Sequence, residues 1–270
     1  MPNNHTDKNI PLQELKGLLL DIISDLDAFC RKNGLRYALA YGSLLGTVRH
    51  KGFIPWDDDI DVLMPRPDYL RLLREYHHPY FEIQCQDKDP KYPLNFAKLC
   101  DTRTISIDSH GNKSPVAVDI FILDGLGADR DKAEAFIAKV KQKQRLWSNQ
   151  LFTKNLKVGR QFNITKNIYI ILAKILGIFI STDGYVKRML AFIQRYPIDH
   201  STYCASFIGH FLIYETEKML ACRDAEFENL ILRIPVDFDY ELRLNYGDYM
   251  QLPPEDQRRE THEATAYWVK

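Results

Sequence analysis

The sequence predicts an α/β or α+β protein, a mixed β-sheet core flanked by helices and followed by a mostly helical C-terminal half. Three observations carry this. Leu12, Leu15, Leu18, Leu19, Ile22, Ile23, Leu26 and Phe29 recur at the spacing of one helix face. From Ser114 to Gly125, Val116, Val118, Ile120 and Ile122 alternate with Ala117, Asp119, Phe121 and Leu123, the two-residue period of a strand. Beyond Asp129 the pattern turns helical almost to Pro197.

In chain order, the first helix meets a stop at Asn33-Gly34. Leu35 to Ala40 reads as a short strand, Gly42-Ser43 as a turn into a short helix, Ile60 to Met64 as a second strand and Asp68 to Tyr76 as a helix. Phe81 to Gln86, Phe96 to Cys100 and Thr104 to Asp108 read as further strands, with Ser114 to Gly125 the strongest. A soft boundary near residues 125 to 130 sets off a core, 1–128, from a helical region and C-terminal segment, 129–270, packing on it as one continuous domain.

Composition narrows the function. The chain has 270 residues and is 45% hydrophobic, enough for a sizeable core. Its 36 basic and 36 acidic residues cancel, so no overall field draws it to nucleic acid. Five cysteines without a C-x-x-C pair argue against a disulfide framework and against zinc, and fit reduced thiols. The first seventeen residues are polar and lack the basic and apolar regions of a signal peptide, which predicts a cytoplasmic protein. The longest apolar run, Ile168 to Ile180, spans thirteen residues with Lys174 inside it, short of the roughly twenty that cross a bilayer. It reads either as a buried helix or as an interfacial one, with Lys154, Lys157, Arg160 and Lys166 suited to anionic headgroups and residues 154–180 as the peripheral membrane contact.

The chemistry concentrates between residues 40 and 70. Asp57, Asp58, Asp59 and Asp61 crowd five positions. On a strand, Asp59 and Asp61 share a face, with Ile60 pointing the other way. Two such carboxylates are tolerated where a divalent cation lies between them, and hard oxygen ligands favour Mg²⁺, or Mn²⁺, completed by substrate phosphates. Asp119 interrupts an apolar strand and suggests a third carboxylate from a neighbouring strand. An EF-hand calcium loop does not fit, because Val62, Leu63 and Met64 follow where a glycine and a closing glutamate are needed.

Around the acids, Gly42-Ser43 offers backbone N–H groups and a hydroxyl to a phosphate at a helix N-terminus. Arg49 and His50 are candidate phosphate donors, with Lys51 and Arg66 behind them. Lys98, between apolar neighbours, reads either as a cleft lysine or as a snorkelling surface one. Asp57 and Asp58 are candidates for shaping the loop, and Trp56 for stacking on a base or for anchoring the core.

The turn G-S, the D-x-D strand and the later strand aspartate resemble the nucleotidyltransferase superfamily. The string YGSLLGTVRHKGFIPWDDDIDVLMPR is similar to the signature of the LicD family of phosphotransferases. The resemblance continues through FAKLCDTRT, VDIFILDG and the C-terminal YGDYMQLPP and RRETH, leaving out roughly residues 130 to 200. Ile122 stands where that family often has proline.

That resemblance implies transfer of phosphocholine, or a related phospho-alcohol, from CDP-choline or another CDP-alcohol to a hydroxyl of a bacterial surface glycan. The acceptor would be lipooligosaccharide, capsule or teichoic acid, including lipid-linked forms, and the reaction would run at the inner face of the cytoplasmic membrane. Asp59, Asp61 and Asp119 are then the expected metal-holding and catalytic residues, Asp119 either completing the metal site or taking the acceptor proton, and His262 lies in the matched C-terminal stretch. Two other readings stay open: a nucleotidyltransferase moving NMP from an NTP to a sugar phosphate or protein, and a binding module that senses a nucleotide.

Overall fold

The computed structural model describes residues 9–108, 111–155, 182–208, 211–258 and 265–269. Its centre is a mixed sheet running β1 (Asn9–Ile10), β11 (Thr265–Trp268), β5 (Ala97–Ile107), β6 (Lys113–Gly127), β3 (Asp61–Pro65) and β2 (Ala38–Leu39). Strand β4 (Phe81–Gln84) pairs with β5, and β7 (Tyr203–Ser206) with β6 and with β8 (Tyr214–Glu215). Of these pairings β3 with β6 is parallel, and it sets Asp61 opposite Asp119.

Alternation along β3 and β6 gives the sheet two different faces. Ile60, Val62, Met64, Val118, Ile120 and Ile122 enter the main core, where α1 (Leu12–Asn33) covers them with Leu18, Leu19, Ile22, Ile23 and Leu26. Each such fully buried aliphatic side chain contributes about 2 kcal/mol. The helix ends where the sequence stop falls: Gly34 takes a left-handed φ of 63°, and Leu35 N–H reaches back to the Cys30 carbonyl. The opposite face carries Asp61, Leu63, Asp119, Phe121 and Leu123. Its apolar members form a second cluster with Ala40, Ile198, Cys204, Tyr214 and Met219.

Helix α3 (Arg66–Glu75) follows β3, and the helical reading beyond Asp129 falls on α4 (Arg130–Asn155) and α5 (Thr182–Ile193). They share a third cluster, including Phe136, Ile137, Val140, Met189 and Ile193, that packs on Leu126 and Phe207. Past Pro197 strands return: β7 and β8, then a ribbon of β9 (Cys222–Phe227) and β10 (Leu230–Pro235), and finally β11 inside the main sheet. Between them lie α6 (Thr216–Leu220) and α7 (Phe238–Tyr246).

Three expectations are corrected. Phe96–Cys100 and Thr104–Asp108 belong to the single strand β5, whose register against β6 shifts between Asp101 and Ser106. The Thr104 hydroxyl fills that irregularity, donating to the Asp101 carbonyl and accepting Val116 N–H. The strand expected over 35–40 narrows to Ala38–Leu39, because the chain is still leaving the Gly34 cap. Gly42 and Ser43 are not a turn before a helix; they lie in the first turn of α2 (Tyr41–His50). Residues 156–181, with the apolar run Ile168–Ile180, lie outside the described residues. Among the described residues no helix is long and apolar enough to cross a membrane.

Candidate active site

Parallel pairing on one side of β6 and antiparallel pairing on the other align Asp61, Asp119 and Lys98 in one row across three strands. Residues paired this way face the same side of the sheet. Lys98 Nζ donates to Asp119 Oδ1 at 2.7 Å, with both side chains largely withdrawn from solvent. Lys98 thus turns to the Asp119 carboxylate rather than snorkelling to the surface. One row further on, the Phe121 ring packs against Phe96 and Tyr41, with centroids 4.8 and 5.2 Å away, forming an apolar floor beside the acids.

Helix α2 grips the same row from the edge. Ala40 N–H donates to the Asp61 carbonyl at 3.0 Å, and Asp61 N–H donates to Ser43 Oγ at 2.9 Å. Residues 40–43 therefore hold the Asp61 backbone on both sides. To make that grip, Tyr41 enters the helix with φ at 48°, a left-handed conformation that costs a non-glycine residue of order 1–3 kcal/mol. At Gly42 a Cβ would come within 2.8 Å of Asp57 Oδ2, the tip of a side chain rather than backbone, so the bare glycine eases the approach of the aspartate loop to the helix.

Burial, and then the charges of Asp59, Asp119 and Asp57, push the Asp61 carboxyl well above the usual carboxylate range, against the pull of Lys98. Tyr246 of α7, 44% exposed as a whole, has its phenol near the same group, where withdrawal of the hydroxyl from solvent and then Asp61, Glu241, Asp57 and Asp59 raise it. The described residues contain no set of three or more His, Cys, Asp or Glu side chains drawn together as a ready ligand cage. The donor set nonetheless fits a hard divalent cation, since magnesium is commonly held by one or two carboxylates and completed by substrate phosphates. Asp57, Asp59, Asp61 and Asp119 supply oxygen ligands for that.

The structure brings Gly42, Ser43, Asp59, Asp61, Lys98 and Asp119 to this face. Arg49 and His50 stand at the far end of α2: Arg49 Nε donates to His50 Nε2 at 2.9 Å and its Nη1 to the Tyr249 carbonyl at 3.0 Å. Burial and the Arg49 charge lower the His50 imidazole, so it serves as an acceptor. Trp56 packs on the main core with the Arg258 guanidinium 5.8 Å over its ring, and Asp58 is half-buried in the loop between them and β3. Arg66 is not brought to the row. It sits past the other end of β3, 9% exposed, in a two-pronged ion pair with Asp124 at 2.9 and 2.7 Å. His262 lies outside the described residues.

Sequence reasoning passed over Tyr41, Tyr246 and Glu241. Tyr41 opens the quoted string, and its φ leaves no trace in a residue type that is not glycine. Tyr246 opens the matched C-terminal string YGDYMQLPP, a signal that was there to use, whereas Glu241 lies before it on a short helix where nothing in the spacing announces a site.

A mixed sheet with a carboxylate row at the one parallel pair among its described strands, gripped by a helix whose first turn carries Gly42 and Ser43, defines the class. The model of the family "LicD/FKTN/FKRP, nucleotidyltransferase domain" matches residues 34–125, from the cap of α1 to the far part of β6. The chain is 30% identical to the lipopolysaccharide cholinephosphotransferase LicD of Haemophilus influenzae, over 96% of this chain and 99% of that one. It belongs to the LicD family. An uncharacterised protein of Rickettsia prowazekii is 39% identical over 54 residues, 20% of either chain. Mannosyltransferase regulator 4 of Saccharomyces cerevisiae is 26% identical over 152 residues, 52% of this chain and 12% of that one.

Proposed function

We propose that this chain is a phosphotransferase moving phosphocholine, or a related phospho-alcohol, from a CDP-activated donor such as CDP-choline to a hydroxyl of a lipopolysaccharide-type surface glycan. The observation that carries the reading is the in-register row Asp61, Asp119, Lys98, held by α2, in a chain similar over nearly its whole length to a lipopolysaccharide cholinephosphotransferase.

In this reading the acceptor oxygen attacks the choline-bearing phosphorus, a new P–O bond forms, the bond to CMP breaks, and CMP leaves with the electron pair. Asp59 and Asp61 would hold Mg²⁺ or Mn²⁺, with Asp119 sharing in that site or taking the acceptor proton. The metal, when bound, supplies positive charge against the donor's pyrophosphate. Lys98 orients Asp119 through their 2.7 Å contact. Residues 40–43 keep Asp61 from shifting as charge builds. The Tyr41, Phe96 and Phe121 rings keep water from one side of the row.

The test is CMP release from CDP-choline and Mg²⁺, with and without lipopolysaccharide, beside Asp61→Asn. Glycan-dependent release that falls about 100-fold or more in the variant is the expected result. Pyrophosphate release from an NTP, with none from any CDP-alcohol, replaces the reading by a nucleotidyltransferase. Near wild-type turnover in Asp61→Asn at saturating Mg²⁺ removes Asp61 from the chemistry.

A further inference from the structure

Glu241, on α7, is the one carboxyl in the described structure that is fully buried beside the α2 entry and has no cationic partner there. Its exposure is 0%. Oε1 accepts the N–H of Tyr41 at 3.2 Å, and Oε2 has no hydrogen-bond partner. A buried acid half satisfied in this way is costly, and an apolar side chain at 241 with glycine at 41 would make the same turn at less cost. The pair therefore does something that packing alone does not require.

What it touches shows what that is. The Tyr41 N–H opens the helix and has no acceptor inside it, and its backbone is held in the left-handed region. The residues on either side, Ala40 and Ser43, bond the carbonyl and the N–H of Asp61. We propose that Glu241 is a positioning residue for the transfer reaction: its carboxyl holds the turn at Tyr41, and through that turn sets where Asp61 stands. The inference rests on the proposed function for the role of Asp61 and on geometry alone for the hold itself.

The titratable groups facing Glu241 are the phenols of Tyr41 on α2, Tyr214 on β8 and Tyr246 on α7. Asn245 ties the last two elements together, donating to Tyr214 Oη at 3.3 Å and to the Glu241 carbonyl at 2.9 Å. Burial pushes the Glu241 carboxyl up to about 8, with the Tyr41 N–H pulling the other way. At neutral pH it is mostly protonated, and it ionises as pH rises through about 8. Because the folded carboxyl keeps its proton to higher pH than the unfolded one, its contribution to stability is present at low pH and lost as pH rises toward 8.

The experiment compares wild type, Glu241→Gln and Glu241→Ala by amide hydrogen exchange at Tyr41 and Asp61, and by kcat and donor KM from pH 6 to 9. In Glu241→Ala both amides exchange about 10-fold faster or more, and kcat falls about 10-fold with donor KM changed less than about 3-fold. Glu241→Gln keeps an acceptor for Tyr41, so it restores slow exchange and kcat to within about 3-fold, but it lacks the wild-type change in kcat near pH 8. Wild-type exchange at Asp61 in Glu241→Ala overturns the proposal. Fast exchange with unchanged kcat also overturns it, leaving Glu241 a packing residue. If Glu241→Ala does not fold, Glu241→Leu, which fills the space but offers Tyr41 N–H no acceptor, decides by the same two readouts: wild-type exchange at Asp61 or unchanged kcat overturns the role, and faster exchange with lowered kcat supports it. If no donor turns over in wild type, the phosphotransferase reading has failed, and exchange at Asp61 still decides whether Glu241 holds it.

Discussion

Lys98 and Asp119 show how much a single contact constrains this site. The ammonium lies 2.7 Å from Asp119 and pulls against the acids that raise Asp61, so removing it takes positive charge from between the two carboxylates. Lys98→Met is expected to lower stability by about 1–3 kcal/mol, read as a fall in the urea midpoint at unchanged slope. Millimolar Mg²⁺ should recover more of that loss than it adds to wild type, because a cation would then meet the charge that Lys98 had met. Equal stabilisation of both proteins would place the metal elsewhere. Asp119 itself was legible from sequence, since a carboxylate breaking an apolar alternation has few structural excuses. Its partner was not, because Lys98 reads equally well as a surface lysine until the antiparallel register sets the two opposite each other.

At the scale of elements, the strongest periodicities survived and the boundaries moved. The helix over 12–33 and the strand around 116–123 follow from one-face patterns long enough to dominate their neighbours. The fusion of two expected strands into β5 depends on a threonine bridging a register shift, a tertiary arrangement that leaves no local signal. Helix α2 was foreseen as short, but not how tightly it is packed. A Cβ on Gly46 would overlap the Gly52 carbonyl and come within 3.2 Å of Ile54 N, both backbone atoms that cannot swing away. Gly46→Ala is therefore expected to cost about 1–3 kcal/mol and to weaken donor turnover by displacing α2 from β3, with thermal unfolding and kcat as the readouts. A variant as stable as wild type would mean that the Gly52–Ile54 loop yields freely.

For the whole molecule, the sheet binds distant parts of the chain into one structure. Strand β11 is hydrogen-bonded on both sides, to β1 and to β5, and Ala266 within it is 3% exposed. Trp268 adds a 2.9 Å hydrogen bond to Glu14 of α1. Proline at 266 would remove a ladder donor and clash within a strand that has no open edge, so Ala266→Pro should cost about 3 kcal/mol in global stability rather than fray a terminus. Exchange confined to residues 265–268, with an unchanged urea midpoint, would show that β11 is dispensable. Sequence could not supply this arrangement, because a four-residue strand of Thr265, Ala266, Tyr267 and Trp268 finds its place only through partners more than a hundred residues away.

The parallel pairing of Asp61 with Asp119 and the contact of Glu241 with Tyr41, 200 residues apart, share one outcome for the life of the protein. The acids meet only after the long connection between β3 and β6 has closed, and the α2 grip is complete only after α7 has docked. Long-range pairings of this kind come late in folding. A nascent or misfolded chain accordingly lacks both the acid row and the grip on it, so under the proposed phosphotransferase reading any turnover is itself a certificate that synthesis and folding have finished.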